Sequence, residues 1–314
     1  MHFKTIGEKE GLFELVEIPE KFGPLSYPVD DHKIKTYAFT QDDYNPWYFT
    51  EDNPFGKRIA HSSILANDLL SLFLTKYNPN TIVGLHTQEE LWFHSPVYAG
   101  ETVTLEGVYV DKYEKRNKGY VVMEAEARGE DGRVLVKHRG IEIMRIHGGS
   151  VAAKRTANVE GDVVTGEYDK SIPAAKKATE DIAIGTPIAP LVKHTSAEQS
   201  AVYSWIGKYF ENIHNNINKA KIAGFDKPVV QGQQQVGYAT EFLTNFFGTS
   251  WFTSGWEKIK MIRPVLVDEV ITVRGVVKDK TVEDGKTKLH LHIWIENEQG
   301  EMTIIGWAHA FVGK

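Results

Sequence analysis

The chain has 314 residues, 41% of them hydrophobic and 25% charged, which is the length of two domains or one large one. The composition is that of a protein with a real core, and it excludes a disordered chain, a collagen-like chain or a stapled mini-protein. There is no cysteine, so disulfides, thiolate zinc sites, iron–sulfur clusters and a cysteine nucleophile are excluded together. With 36 basic against 42 acidic residues the formal charge is −6, which argues against a general binder of phosphate backbones. No apolar stretch approaches the roughly 18–20 residues needed to cross a bilayer. A cytoplasmic protein with no nucleic-acid or membrane partner is expected.

The first half begins with an extended lead-in at Pro24-Leu25, passes Tyr37-Ala38-Phe39-Thr40 and reaches the polar loop Asp43-Tyr44-Asn45-Pro46-Trp47-Tyr48. Ile59-Ala60-His61-Ser62 follows, and then residues 64–77 read ILANDLLSLFLTKY. That run has helical length and no wide polar face, so it predicts a buried helix. Residues 91–97, 103–110, 119–127 and 134–144 alternate and are rich in β-branched residues, which predicts antiparallel strands with one covered face. Residues 148–187 are rich in Lys, Ala, Gly and Thr without a sustained apolar period. They read as a linker with one short helix around 174–178.

The second half repeats this order. Pro190-Leu191 leads through Tyr203-Ser204-Trp205-Ile206 to Tyr209-Phe210-Glu211-Asn212-Ile213-His214, then to Val229-Val230-Gln231-Gly232. A second helical run spans 236–247, and strands are predicted at 258–265, 270–277, 286–296 and 302–311. Pro24, Tyr37 and Tyr48 pair with Pro190, Tyr203 and His214 at a constant offset of 166, and His61 and Ser62 pair with Gln231 and Gly232 at 170. Such a repeat predicts an α+β chain of two tandem modules, each an antiparallel sheet wrapped around one central helix. The modules are 1–147 and 188–314, joined by the linker 148–187.

At these motifs the sequence resembles the MaoC-like hydratases, the (R)-specific enoyl-CoA hydratase group of hot-dog folds. That family carries Asp-x-Asn-Pro-x-His and, about a dozen residues on, an apolar pair followed by His-Gly. Asp43, Asn45 and Pro46 match the first element, with Tyr48 in place of its His; Ile59-Ala60-His61-Ser62 matches the second, with Ser for Gly. In the second half His214 matches, Tyr209 stands for the Asp, Glu211 for the Asn, and Gln231-Gly232 for the His-Gly. The resemblance implies a fused double hot dog that adds water to, or removes it from, the 2,3 bond of an enoyl or 3-hydroxyacyl thioester. The carrier would be coenzyme A or an acyl carrier protein, with no cofactor beyond the substrate's own coenzyme A.

The chemistry needs a carboxylate and a second proton-transferring group around one water, and amide donors for the developing enolate oxygen. The resemblance gives the catalytic roles to Asp43, Tyr48 and His61, with Glu211 and His214 as an alternative pair, and substrate contacts to Asn45, Ser62, Tyr209, Gln231 and Gly232. Bland readings stand beside these. Asp43-x-Asn-Pro is also good turn chemistry, and His214 sits in an asparagine-rich loop. Trp47, Tyr48, Phe55, Tyr203, Trp205, Tyr209, Phe210, Trp251, Phe252 and Trp256 cluster around the two loops; as pocket walls they predict a bulky or aromatic acyl group. The twelve histidines lack metal-ligand spacing, and no metal is expected. A non-catalytic acyl-CoA-binding or partner hot dog, and a thioesterase, are the alternatives; a homodimer stays open.

Overall fold

The computed structural model describes residues 6–82, 84–144, 162–204 and 211–313. Among the described residues ten strands form one antiparallel sheet. From the first half come β1 (Glu20–Pro28), β2 (Gly84–Phe93), β3 (Thr102–Lys115), β4 (Lys118–Arg128) and β5 (Val134–Met144), in the order β1-β3-β4-β5-β2. From the second come β6 (Leu191–His194), β7 (Trp256–Met261), β8 (Val270–Glu283), β9 (Lys286–Asn297) and β10 (Met302–Phe311), in the mirrored order β7-β10-β9-β8-β6. The sheets join where β2 pairs with β7, from Gln88 opposite Lys260 to Trp92 opposite Trp256. Leu91 and Ile259 at this seam are fully buried. Parting the modules would expose them at about 1.5–3 kcal/mol each, so the two repeats form one body.

Each half keeps a helix against the inner face of its sheet, but the two helices differ. In the second half α5 (Gly232–Phe247) buries every residue except Gly232 and Asn245, as a helix enclosed on all sides must. It stops at Gly248, whose φ of 63° is the left-handed region glycine tolerates. In the first half the helix expected over 64–77 is broken: α2 covers only Ala66–Leu70 and tightens into a 3-10 turn over Ser71–Thr75. Asn67, Asp68 and Ser71, weak helix formers, sit inside the run. Asp68 is drawn off to the Tyr27 hydroxyl and to Lys33 Nζ at 2.6 Å.

The other α-helices among the described residues are α1 (Asp31–Gln41), α3 (Ala197–Tyr203), α4 (Ile217–Ile222) and α6 (Trp251–Ser254). Asp30 caps α1 by accepting from Lys33 N at 2.8 Å. No helix forms at 174–178; Ala175 bridges Ile188 in parallel instead, and the described part of the linker packs on the second module. Val164 and Tyr168 cover Val276, Trp294 and Ile305 on the outer face of that sheet. The linker's apolar residues are too widely spaced to show a period, yet Val164 and Tyr168 find a place on the sheet. Among the described residues no helix is long and apolar enough to cross a membrane.

Candidate active site

The loop after α1 is shaped by its own side chains. Asp42 ends the helix in the left-handed region, φ 48°. Asp43 Oδ1 accepts from Asn45 N at 3.1 Å, and Asn45 Oδ1 accepts from Trp47 N at 3.1 Å. These successive Asx turns set up the one-turn 3-10 helix Pro46–Tyr48. Asn45 is thus a loop-holder, and one carboxylate oxygen of Asp43 is committed to structure. The other, Oδ2, faces inward, where it accepts from Tyr48 OH at 2.9 Å and lies 3.5 Å from His61 Nε2.

His61 comes from the stretch before α2, fixed by the bond from Ala60 N to Val97 O. Its Nδ1 accepts from Ser63 N at 3.2 Å, which places the ring proton on Nε2, toward Asp43. Burial, offset by Asp43 and reinforced by Lys193, pushes His61 down to about 4, so the imidazole is neutral at pH 7. Burial and the Asp43 charge hold the Tyr48 phenol well above its ordinary range, so it remains a donor to Asp43. Asp43, Tyr48 and His61 therefore form one constellation, all at or below 7% exposure. A groove of about 920 Å³ lies on the first module's sheet, lined by Trp92, Glu106, Glu124, Lys137 and Arg139. None of the three residues lines it.

The second module closes this site with residues the sequence did not single out. Lys193 on β6 reaches across to donate to Gln41 O and Asp42 O, both at 2.8 Å, and pairs with Glu241 of α5 at 2.7 Å. Burial and the neighbouring Asp43 push Glu241 up to about 8 against the pull of Lys193. Gln41 packs so tightly on α5 that a Cβ at Gly237 would lie 2.2 Å from its Oε1, so a larger residue there would have to displace the Gln41 amide. Ser62 Oγ meets Thr244 Oγ1 at 3.3 Å, and Tyr37 OH meets Ser63 Oγ at 3.0 Å. A charged residue inside the otherwise apolar run 236–247 was the one sequence signal for Glu241.

Among the described residues the second-half candidates do not form an equivalent constellation. Glu211 is exposed, whereas His214 Nδ1 donates to Val229 O at 2.7 Å and burial pushes its imidazole down. The expected Glu211–His214 acid/base pair is replaced by this backbone tie. Tyr209 lies outside the described residues. Gln231 turns its amide onto Asn67 Oδ1 at 3.0 Å, and Gly232 opens α5. Of the aromatics expected to wall a pocket, Trp47, Phe55 and Phe252 pack edge to face or tilted on one another, and Trp251 is fully buried. They are core. Trp205 and Phe210 fall outside the described residues.

Residues 16–130 match the model of the MaoC like domain. Among solved structures, a putative MaoC domain protein dehydratase from Chloroflexus aurantiacus aligns with 98% of this chain and 98% of its own, at TM-score 0.70 and 12% identity. A conserved hypothetical protein from Mycobacterium tuberculosis with a double hotdog fold aligns with 96% of this chain and 98% of its own, at TM-score 0.66 and 11% identity. The full-length peroxisomal multifunctional enzyme type 2 from Drosophila melanogaster aligns over 93% of this chain and 48% of its own, at TM-score 0.62 and 18% identity. At these identities the likeness carries the fold, a double hot dog.

Proposed function

We propose, from the premise that residues 16–130 form a MaoC-like domain within a double hot-dog chain, that the protein is a hydratase or dehydratase of 2-enoyl/3-hydroxyacyl thioesters with coenzyme A as carrier. The observation that carries the reading is that Asp43 Oδ2 accepts from Tyr48 OH at 2.9 Å and has His61 Nε2 3.5 Å away. It leaves a carboxylate whose reacting oxygen is oriented by one hydrogen bond and faced by a neutral imidazole.

Asp43 takes a proton from the water that adds to C3, and returns it to C2 as the enolate collapses; the reverse order removes water. One carboxyl serves both steps, so no second titrating base is required. Tyr48 and His61 hold the carboxylate in place and steady the water. The Ser62 amide, at the turn into α2, is the donor nearest in sequence for the enolate oxygen. No cofactor beyond the thioester's own coenzyme A enters the scheme.

The test is a spectroscopic assay of crotonyl-CoA and cinnamoyl-CoA at high enzyme concentration, run beside a thiol-release assay. Loss of the enoyl absorbance without free thiol supports hydration. Free thiol would replace it with a thioesterase, and neither signal would leave a binding protein.

A further inference from the structure

At the N-terminus of α5 lies a second cluster that the proposed chemistry does not use. Gln234 N and Gln235 N make the helix's first bonds, to Gln231 O at 3.0 and 3.3 Å. The amides of Gly232 and Gln233 thus precede the helical ladder at its positive end. In the first module the matching turn is capped from within, Ser63 N donating to His61 Nδ1. In the second, Gln231 occupies the place of His61 but spends its amide on Asn67, and no side-chain cap forms at its own helix.

Into this uncapped end points a histidine from the other module. His86, on β2, has its side chain 9% exposed, and its Nδ1 lies 3.5 Å from where a Cβ of Gly232 would stand. Its other nitrogen, Nε2, faces two oxygens, Gln88 O at 2.8 Å and Glu89 Oε2 at 3.0 Å. Nε2 therefore carries a proton and the ring is fixed. Among the described residues Nδ1 has no hydrogen-bond partner, nor has either amide atom of Gln233 in the first turn of the helix.

We propose that the N-terminus of α5 and His86 together bind a carboxylate, at a site separate from Asp43 and built from both modules. The fixed groups of this cradle, the Gly232 and Gln233 amides, are donors at a positive helix end, so the occupant is an acceptor bearing negative charge. The other titratable groups facing the ring are Glu89 on its own strand, and Glu142 and His138 on β5: Glu142 stands opposite His86, and His138 Nε2 lies 3.1 Å from Glu89. Although burial works against it, Glu89 raises His86 above its ordinary value, which favours Nδ1 as a further donor. Gly232 is partly exposed, giving the anion a way in.

Titration calorimetry with sodium acetate at constant ionic strength tests this on the full chain. Wild type is expected to bind acetate saturably, with affinity about tenfold or more weaker in His86→Gln, as for loss of one charge-assisted bond. Gly232→Ala provides a variant that folds, since its methyl meets Met261 Cε at 3.4 Å and His86 Nδ1 at 3.5 Å, yet fills the cradle; it too should weaken acetate. Succinyl-CoA against butyryl-CoA tells the source of the carboxylate: a preference for succinyl-CoA that His86→Gln abolishes assigns it to a thioester, and equal affinities assign it to a free acid. Absence of saturable acetate binding, or binding that neither variant changes, overturns the proposal. The readout is heat of binding, so it is independent of whether the chain hydrates crotonyl-CoA.

Discussion

Glu89 and Glu257 meet diagonally across the seam, Glu89 opposite Ile259 and Glu257 opposite Leu91, and neither is exposed. Each is the second residue of its strand's stretch in the β2–β7 pairing, from opposite modules, yet they resolve burial differently. Glu89 is ionised: burial works against it, but His138 and His86 hold its carboxyl below the usual range. Burial pushes Glu257 up to about 8 despite the Thr240 hydrogen bond, and Glu89 adds to the rise. Thr240 Oγ1 lies 2.7 Å from Glu257 Oε1 and 2.8 Å from Val236 O. With its one proton donated to Val236, as helical threonines do, the remaining proton in the Glu257 contact comes from a neutral carboxyl.

Stability should therefore depend on pH through Glu257. The folded chain keeps a proton that the unfolded chain, with an ordinary value of 4.5, has already released. The contribution is complete below pH 4.5 and is lost as pH rises through about 8. Glu257→Gln removes this dependence. Urea denaturation at pH 6 and pH 8 should show wild type losing on the order of 2 kcal/mol relative to the variant. Parallel pH profiles for the two proteins would show that Glu257 is ionised in the folded state.

Asp43→Asn should lower enoyl thioester hydration by about 10²–10⁴-fold, the range for loss of a general base, with little change in melting temperature. The amide oxygen can still accept from Asn45 N and keep the turn. Tyr48→Phe removes the 2.9 Å bond to Oδ2 and should slow the reaction less than Asp43→Asn does. Tyr48→His, which keeps a donor in reach, should recover more of the rate than Tyr48→Phe. If all three variants retain full activity, the site is elsewhere.

His214→Ala is expected to leave hydration within about twofold while costing roughly 1 kcal/mol of stability, the usual net value of one hydrogen bond. Its Nδ1 is committed to Val229 O at 2.7 Å, and Glu211 is turned to solvent. Steady-state kinetics beside thermal melts separates the two effects. A collapse of kcat with unchanged melting would move the chemistry into the second module.

The double module was legible in the sequence because duplication repeats its landmarks. Pro24 and Pro190, and Tyr37 and Tyr203, keep their spacing whatever surrounds them. The continuity of α2 was not legible, since an apolar run of 14 residues conceals the side-chain bonds of Asp68 that compete with it. Asp43 and His61 could be picked out from their motif. What they do depends on a hydrogen bond to Ser63 and on burial, neither of which spacing reveals. Lys193 lies 150 residues beyond Asp43 in a short strand that looks like any lead-in, so its role was hidden by chain distance.

That lysine should prove more important than its acidic partner. Lys193 is 4% exposed and satisfies Gln41 O, Asp42 O and Glu241 at once. Lys193→Met leaves one buried carbonyl, one partly buried carbonyl and a carboxyl without their donor, and should cost about 3–5 kcal/mol, as for a buried pair broken from one side. Glu241, pushed up to about 8, is readily protonated once unpaired, and Glu241→Gln retains an oxygen for Lys193. That variant should cost under about 1 kcal/mol. The same two carbonyls sit at the end of α1 just before Asp43, so Lys193→Met should also reduce kcat while Glu241→Gln leaves it nearly unchanged. Urea midpoints and hydration rates for the two variants decide this; equal losses in both would mean that the ion pair, rather than the lysine's hold on the α1 carboxyl end, positions Asp43.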